Sequence, residues 1–126
     1  MRSDRLLLAD ILDAVDEVIA VTPASRAEFD ADKLVRSHVL RHIQIVGEAV
    51  TRLSQQLKER YPGVPWRSIA GMRHAIVHGY FQVDWNEVYG TATRDIPPLR
   101  SQIRAIIASL PPEADAEASN DAAPGR

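Results

Sequence analysis

The 126-residue sequence contains no cysteine. That excludes disulfides, thiol catalysis and Cys-ligated zinc, and nothing implies an oxidising compartment. Long apolar runs are also missing. The stretch after Met1-Arg2-Ser3-Asp4-Arg5 extends only from Leu6 to Ala9 before Asp10 breaks it. It is too short for a membrane span and has no signal-peptide pattern, so a cytoplasmic, non-membrane location is expected. No segment alternates apolar and polar residues with period two, so no strand is expected. There is no internal repeat. Nor is there strong charge of one sign. Net charge is -2, with -3 on residues 111–126 and +1 on residues 1–110. Bulk polyelectrolyte binding is excluded, and any nucleic-acid contact must use a local cluster of Arg and His.

The chain has the length of one domain that can bury a core unaided, and its apolar residues recur at helical spacing. A first helix is predicted from Asp4 to Ile19 or Val21, with Ser3 as N-cap. Leu8, Ile11, Leu12, Val15 and Ile19 share one face, and Asp10, Asp13, Asp16 and Glu17 form an acidic opposite face, read as solvated surface. Thr22 to Phe29 reads as a loop. A second helix is predicted from Asp30 or Asp32 to Arg60, stopped by Tyr61-Pro62-Gly63. Its seam of Val39, Ile43, Val46, Val50, Leu53 and Leu57 keeps bundle heptad spacing. Ile45 and Ala49 widen that stripe, which suggests a second neighbour such as another subunit. Gly47, worth about 1 kcal/mol less than Ala inside a helix, fits close approach of another backbone or tolerance on an exposed face.

A short third helix is predicted over Trp66–His78, with Ile69, Met72 and Ile76 facing the core and Gly79 as its stop. A fourth starts after Asp84, which with Glu87 resembles a capping box. Its apolar phase runs through Ala92, Ile96, Leu99, Ile103 and Ile106 to Leu110, so Pro97-Pro98 reads as a kink or brief break between collinear segments. The expected fold is all-α: an up-and-down bundle of four main helices plus a short or kinked C-terminal helix, spanning 1–110. Residues 111–126, rich in Pro, Ala and acids, are expected to be a disordered tail.

The chemistry concentrates in Arg73-His74-Ala75-Ile76-Val77-His78-Gly79-Tyr80. Arg73 and His78 lie five apart, about 140° around a continuous helix, so they converge on one phosphate only if the helix ends near His78 or a second subunit contributes. The structural alternative for Arg73 is a salt bridge, with Glu48 or an aspartate as acceptor. The four histidines form two i, i+4 pairs, His38 with His42 and His74 with His78. Each pair shares a helical face and has metal-binding spacing. Neither contains a carboxylate, and His38 and His42 flank the apolar seam, so they read as interface histidines and no metal is expected. Tyr80 is open between core packing, a nucleic-acid contact and a modification target.

The Arg-x4-His spacing, with polar His74 after Arg73, resembles the motif of HEPN-domain ribonucleases. His78-Gly79-Tyr80 is similar to the His-x-Tyr extension of HepT-like toxins, Gly79 filling the variable position. Ile45-Val46-Gly47-Glu48-Ala49, Trp66-Arg67-Ser68-Ile69-Ala70-Gly71-Met72 and Ile96-Pro97-Pro98-Leu99 extend the resemblance over residues 4–110. It implies a homodimer in which Arg73 and His78 of two protomers line one cleft. It implies a toxin of a type VII-like toxin–antitoxin pair that cleaves RNA, with tRNA one substrate type, without metal or other cofactor. His78 would be the general base or acid, Arg73 would hold the phosphate, and His74 would position it or assist proton transfer. The implied partner is a minimal nucleotidyltransferase antitoxin that transfers AMP to Tyr80. The alternative is a non-catalytic partner subunit that binds nucleotide or anion at the Arg73/His78 cluster; a third possibility is a purely structural dimerisation module.

Overall fold

A computed structural model describes residues 2–78 and 82–111, with all their side chains except those of Arg73, Ala75, Val77 and His78. Among the described residues the fold is all-α apart from one pair of two-residue strands. Helix α1 is Asp4–Val21, α2 Arg26–Ala31, α3 Lys33–Arg52, α4 Gln55–Arg60 and α5 Trp66–Ile76. Strands β1, Val77–His78, and β2, Gln82–Val83, follow. Then come α6, Trp85–Gly90, a π-helical turn, Thr91–Asp95, and α7, Ile96–Ser109. Among the described residues, no helix is long and apolar enough to cross a membrane.

The bundle is organised around α1, which packs against α3 on one side and α7 on the other, while α5 packs on α3. Leu8, Ile11, Val15 and Val18 of α1 meet Val39, Ile43, Val46 and Val50 of α3 and Ile96 and Ile103 of α7 in a core where all of these are fully buried. Burial of one such side chain contributes about 1.5–3 kcal/mol. Ser3 caps α1 as expected, its hydroxyl accepting from the Leu6 N–H at 3.2 Å. At the same end of α1, the Arg5 guanidinium donates to the Leu110 carbonyl at 3.2 Å, which ties the end of α7 to the start of α1.

Four local expectations are corrected. The presumed loop before the second helix contains α2. Its N-cap Ser25 accepts from the Glu28 N–H at 3.1 Å and donates its hydroxyl to the Glu28 carboxylate at 3.0 Å, and fully buried Phe29 anchors it. The second helix is not continuous to Arg60. Leu53 turns extended at its end, and Ser54 caps a new helix, α4, by accepting from the Leu57 N–H. Asp4 of α1 holds that break, accepting from the Ser54 N–H at 2.8 Å and the Ser54 hydroxyl at 2.5 Å. Leu57 stays buried, so the apolar seam survives a break that periodicity alone does not reveal. The third helix ends at Ile76 rather than His78. Finally, strand pairing is present: β1 and β2 are antiparallel, with Val77 opposite Val83 and His78 opposite Gln82. Two-residue strands are too short to produce a period-two pattern.

The expected break at Pro97-Pro98 takes the form of the π-helical turn immediately before α7, with proline in the first turn of α7. The fixed φ of proline suits the first turn of an α-helix. The wider spacing of a π turn relieves the clash that each proline ring would otherwise make with the carbonyl four residues earlier. Gly47 is buried within α3. The tail from residue 112 on and the proposed helix stop Gly79 lie outside the described residues.

Candidate functional site

The motif helix is built to start and stop at fixed places. Val64 is buried, and the Trp66 N–H bonds its carbonyl at 2.8 Å. The Trp66 indole N–H reaches the carbonyls of Lys58 and Tyr61 at 3.2 and 3.0 Å, which locks the start of α5 to the end of α4. Ile69 and Ile76 are buried in the core, and Met72 packs on it. At the far end, the Ile76 carbonyl accepts from the Asp84 N–H at 2.7 Å, and the chain leaves the helix as β1.

This geometry changes the relation between Arg73 and His78. Arg73 lies in the last turn of α5, and His78 lies on the strand beyond it, so the angle of a continuous helix does not separate them. β-branched Val77 suits the extended backbone. Opposite His78, Gln82 leads through Val83 to Asp84, whose side chain caps α6 by accepting from the Glu87 N–H at 3.1 Å. His78 is therefore carried on a ribbon braced between two helices. His74 is exposed. Tyr80 lies outside the described residues.

Arg67, Gly71 and His74 fall at i, i+4 and i+7 along α5 and share one outward face. Arg67 and His74 are exposed, and a Cβ built on Gly71 would meet nothing within 4 Å. A cleft of about 350 Å³ lies along the next face, between Ser68 and Met72 of α5 and Arg94, Pro98 and Gln102. Arg94 is paired with Asp95 at 3.2 Å. The hydrogen bond and the negative charge of Asp95 raise the Arg94 pKa above its ordinary value. Glu48, an acceptor considered for Arg73, lies 3.1 Å from Arg52 on its own helix; whether it also pairs with Arg73 falls outside the described side chains.

The family profile described as "Ribonuclease HepT-like" matches residues 11–106, which include the whole motif. The chain belongs to the HepT-like family. It is 34% identical over 110 residues to "Putative RNase MJ0125" of Methanocaldococcus jannaschii, covering 86% of this chain and 95% of that protein. It is 33% identical over 106 residues to "Probable ribonuclease HepT" of Thermococcus cleftensis, covering 83% and 96%. No solved structure matches at a comparable level of significance.

The other histidine pair of this HepT-like chain acquires a partner that its own helix does not supply. The His38 and His42 rings of α3 lie with centroids 4.2 Å apart and planes tilted by 38°. The Glu17 carboxylate of α1 lies 2.8 Å from His38 Nε2. On spacing alone, Glu17 belongs to the acidic outer face of the first helix. Its place beside the pair depends on the register between α1 and α3, which local spacing does not encode.

Proposed function

We propose that this HepT-like protein is a metal-independent endoribonuclease and the toxin of a type VII-like toxin–antitoxin pair. The observation that carries the reading is the end of α5 at Ile76, with Arg73 in its last turn and His78 on the braced strand beyond. Separation of the two residues by the helix end lets a cationic phosphate clamp and an imidazole address the same phosphodiester, within one chain or across a dimer. The RNA 2′-hydroxyl attacks the adjacent phosphorus as its proton passes to a base. The bond to the 5′-oxygen breaks, and that oxygen takes a proton. The products are a 2′,3′-cyclic phosphate and a 5′-hydroxyl. His78 serves as base or acid, Arg73 stabilises the charge growing on the phosphoryl oxygens, and His74 positions the phosphate or relays a proton. tRNA is a substrate type in keeping with this reading.

The proposal includes a homodimer. A groove of about 670 Å³ runs between α1 and α3, with half-buried Ile45 on its wall and buried Leu7, Ala14 and Ala49 at its base among charged residues. It lies on the side of α3 where the widened stripe calls for a neighbour. The partner is a nucleotidyltransferase antitoxin, and AMP placed on the Tyr80 hydroxyl sets a bulky anion beside the Arg73/His78 cluster and blocks RNA.

The test is cleavage of RNA in EDTA by the unmodified wild type and by His78→Ala, with circular dichroism on both. Cleavage by the wild type alone, with both proteins folded, establishes the assignment. An inactive wild type of unmodified mass overturns it in favour of the anion-binding partner subunit.

A further inference from the structure

We propose that Glu17, His38 and His42 form a binding site for a divalent transition-metal ion, Zn²⁺ foremost, that clamps α1 to α3. The donor atoms of the three side chains lie within 4.8 Å of one another. Zinc–nitrogen bonds of about 2.05 Å in a tetrahedral centre put donors about 3.3 Å apart, so small side-chain rotations bring the three to bonding distance. Two imidazoles and one carboxylate are a donor set that suits zinc and leaves the fourth position to water. In the single chain the His38 and Glu17 side chains are 40% and 51% exposed, and Glu17 and His42 line the same α1–α3 groove that the proposed homodimer would use.

The hydrogen bonding of His42 favours a ligand. Its Nδ1 lies 2.8 Å from the His38 carbonyl oxygen. A carbonyl only accepts, so Nδ1 holds the proton, and in the neutral ring Nε2 carries the free lone pair. A backbone carbonyl that fixes the tautomer and orientation of the ring is the usual support of a metal-bound histidine. His38 presents Nε2 to the Glu17 carboxylate at 2.8 Å; a cation would replace the shared proton between them.

The frame is rigid. Glu17, His38 and His42 each precede a fully buried residue, Val18, Val39 and Ile43 respectively. The three donors are thus set by the interdigitated α1–α3 core rather than by loops, which limits the reorganisation a metal must impose. The site is made of α1 and α3, whereas the proposed phosphate chemistry belongs to α5 and β1. Its consequence is stabilisation of the bundle by linkage, since the unfolded chain does not hold the three donors together.

The experiment strips the full-length protein with EDTA, removes the chelator, and titrates Zn²⁺ by calorimetry and Co²⁺ by visible absorption, alongside thermal melts. The wild type should bind one Zn²⁺ per chain at micromolar concentrations or below, give the intense d–d bands of four-coordinate Co²⁺, and melt higher with metal. His42→Ala and Glu17→Gln should stay folded by circular dichroism and lose more than about 100-fold in affinity, because even a residue that only orients a ligand is worth about 10–100-fold. Absence of saturable binding by the wild type overturns the proposal. So does binding that survives both substitutions but vanishes in His74→Ala, which would place the ion on the other histidine pair.

Discussion

Asp84 donates its backbone N–H to the carbonyl of Ile76 at 2.7 Å, joining the residue that ends the motif helix to the residue that caps α6. One residue thereby closes the β1–β2 ribbon and starts the next helix. The backbone bond persists in any substitution except proline, whereas the cap depends on the side chain. Asp84→Ala should cost about 1 kcal/mol, and Asp84→Asn, which keeps an accepting oxygen, clearly less. Equal losses for the two variants in urea denaturation would show that charge rather than capping governs this position.

The sequence conveyed the layers of the fold better than its joints. Ser3 and Asp84 were legible as caps, because a short acceptor ahead of an amphipathic run has one dominant use. The seam from Val39 to Leu57 was legible as a buried stripe, but the step at Leu53–Ser54 was not, because it rests on Asp4, fifty residues away. Ser25-Arg26-Ala27-Glu28 did carry a readable signal for α2: Ser followed by Glu three residues on. It was obscured by Pro23 and by the shortness of the helix. Within the motif, the cluster itself was evident from composition. The stop at Ile76 was not, because it is made by a hydrogen bond from Asp84 and a strand pair of two residues. The spatial union of Glu17 with His38 and His42 depends on tertiary register alone.

The outward stripe of Arg67 and His74 on α5 gives a prediction about RNA affinity. Arg67 is exposed and makes none of the ion pairs described for the fold, so its removal should leave stability within about 0.5 kcal/mol of wild type. As a phosphate contact on the same face as His74, it should contribute to binding in a salt-dependent way. In a His78→Ala background, where RNA is held but not cut, Arg67→Ala should weaken single-stranded RNA binding. It should also reduce the slope of log affinity against log salt by about 0.7, the value for one lost phosphate contact. Unchanged affinity and slope in fluorescence anisotropy would remove Arg67 from the RNA path.

Gly71 lies between those two residues in the interior of α5, with open space where its Cβ would stand. Alanine there should raise stability by about 1 kcal/mol through helix propensity, measured by urea or thermal unfolding at a protein concentration low enough to favour the single chain. The same substitution adds a methyl group to the face that carries Arg67 and His74. If RNA backbone approaches that face closely, cleavage should fall although stability rises. Higher stability with full cleavage would show that the glycine leaves room that the substrate does not use.

Phe29 determines whether α2 exists at all. The six-residue helix is too short to persist on its own propensity. Its fully buried Phe29 ring is set against Trp85 and Tyr89 of α6, with centroids 6.2 and 4.9 Å apart. The Tyr89 hydroxyl returns a hydrogen bond to the Pro23 carbonyl at 3.1 Å, and Arg26 donates to the Asn86 side chain at 2.6 Å. These contacts press α2 onto the helix that receives the β1–β2 ribbon. Phe29→Ala should cost about 3–5 kcal/mol and shift Trp85 fluorescence toward that of a solvated indole. Trp66 packs in the separate contact between α4 and α5 and should report little change, which a Trp66→Phe background would isolate. If the cost is large but ribonuclease activity per folded molecule is unchanged, the brace on His78 comes from Asp84 alone. A joint fall in activity would extend that brace through α6 to α2.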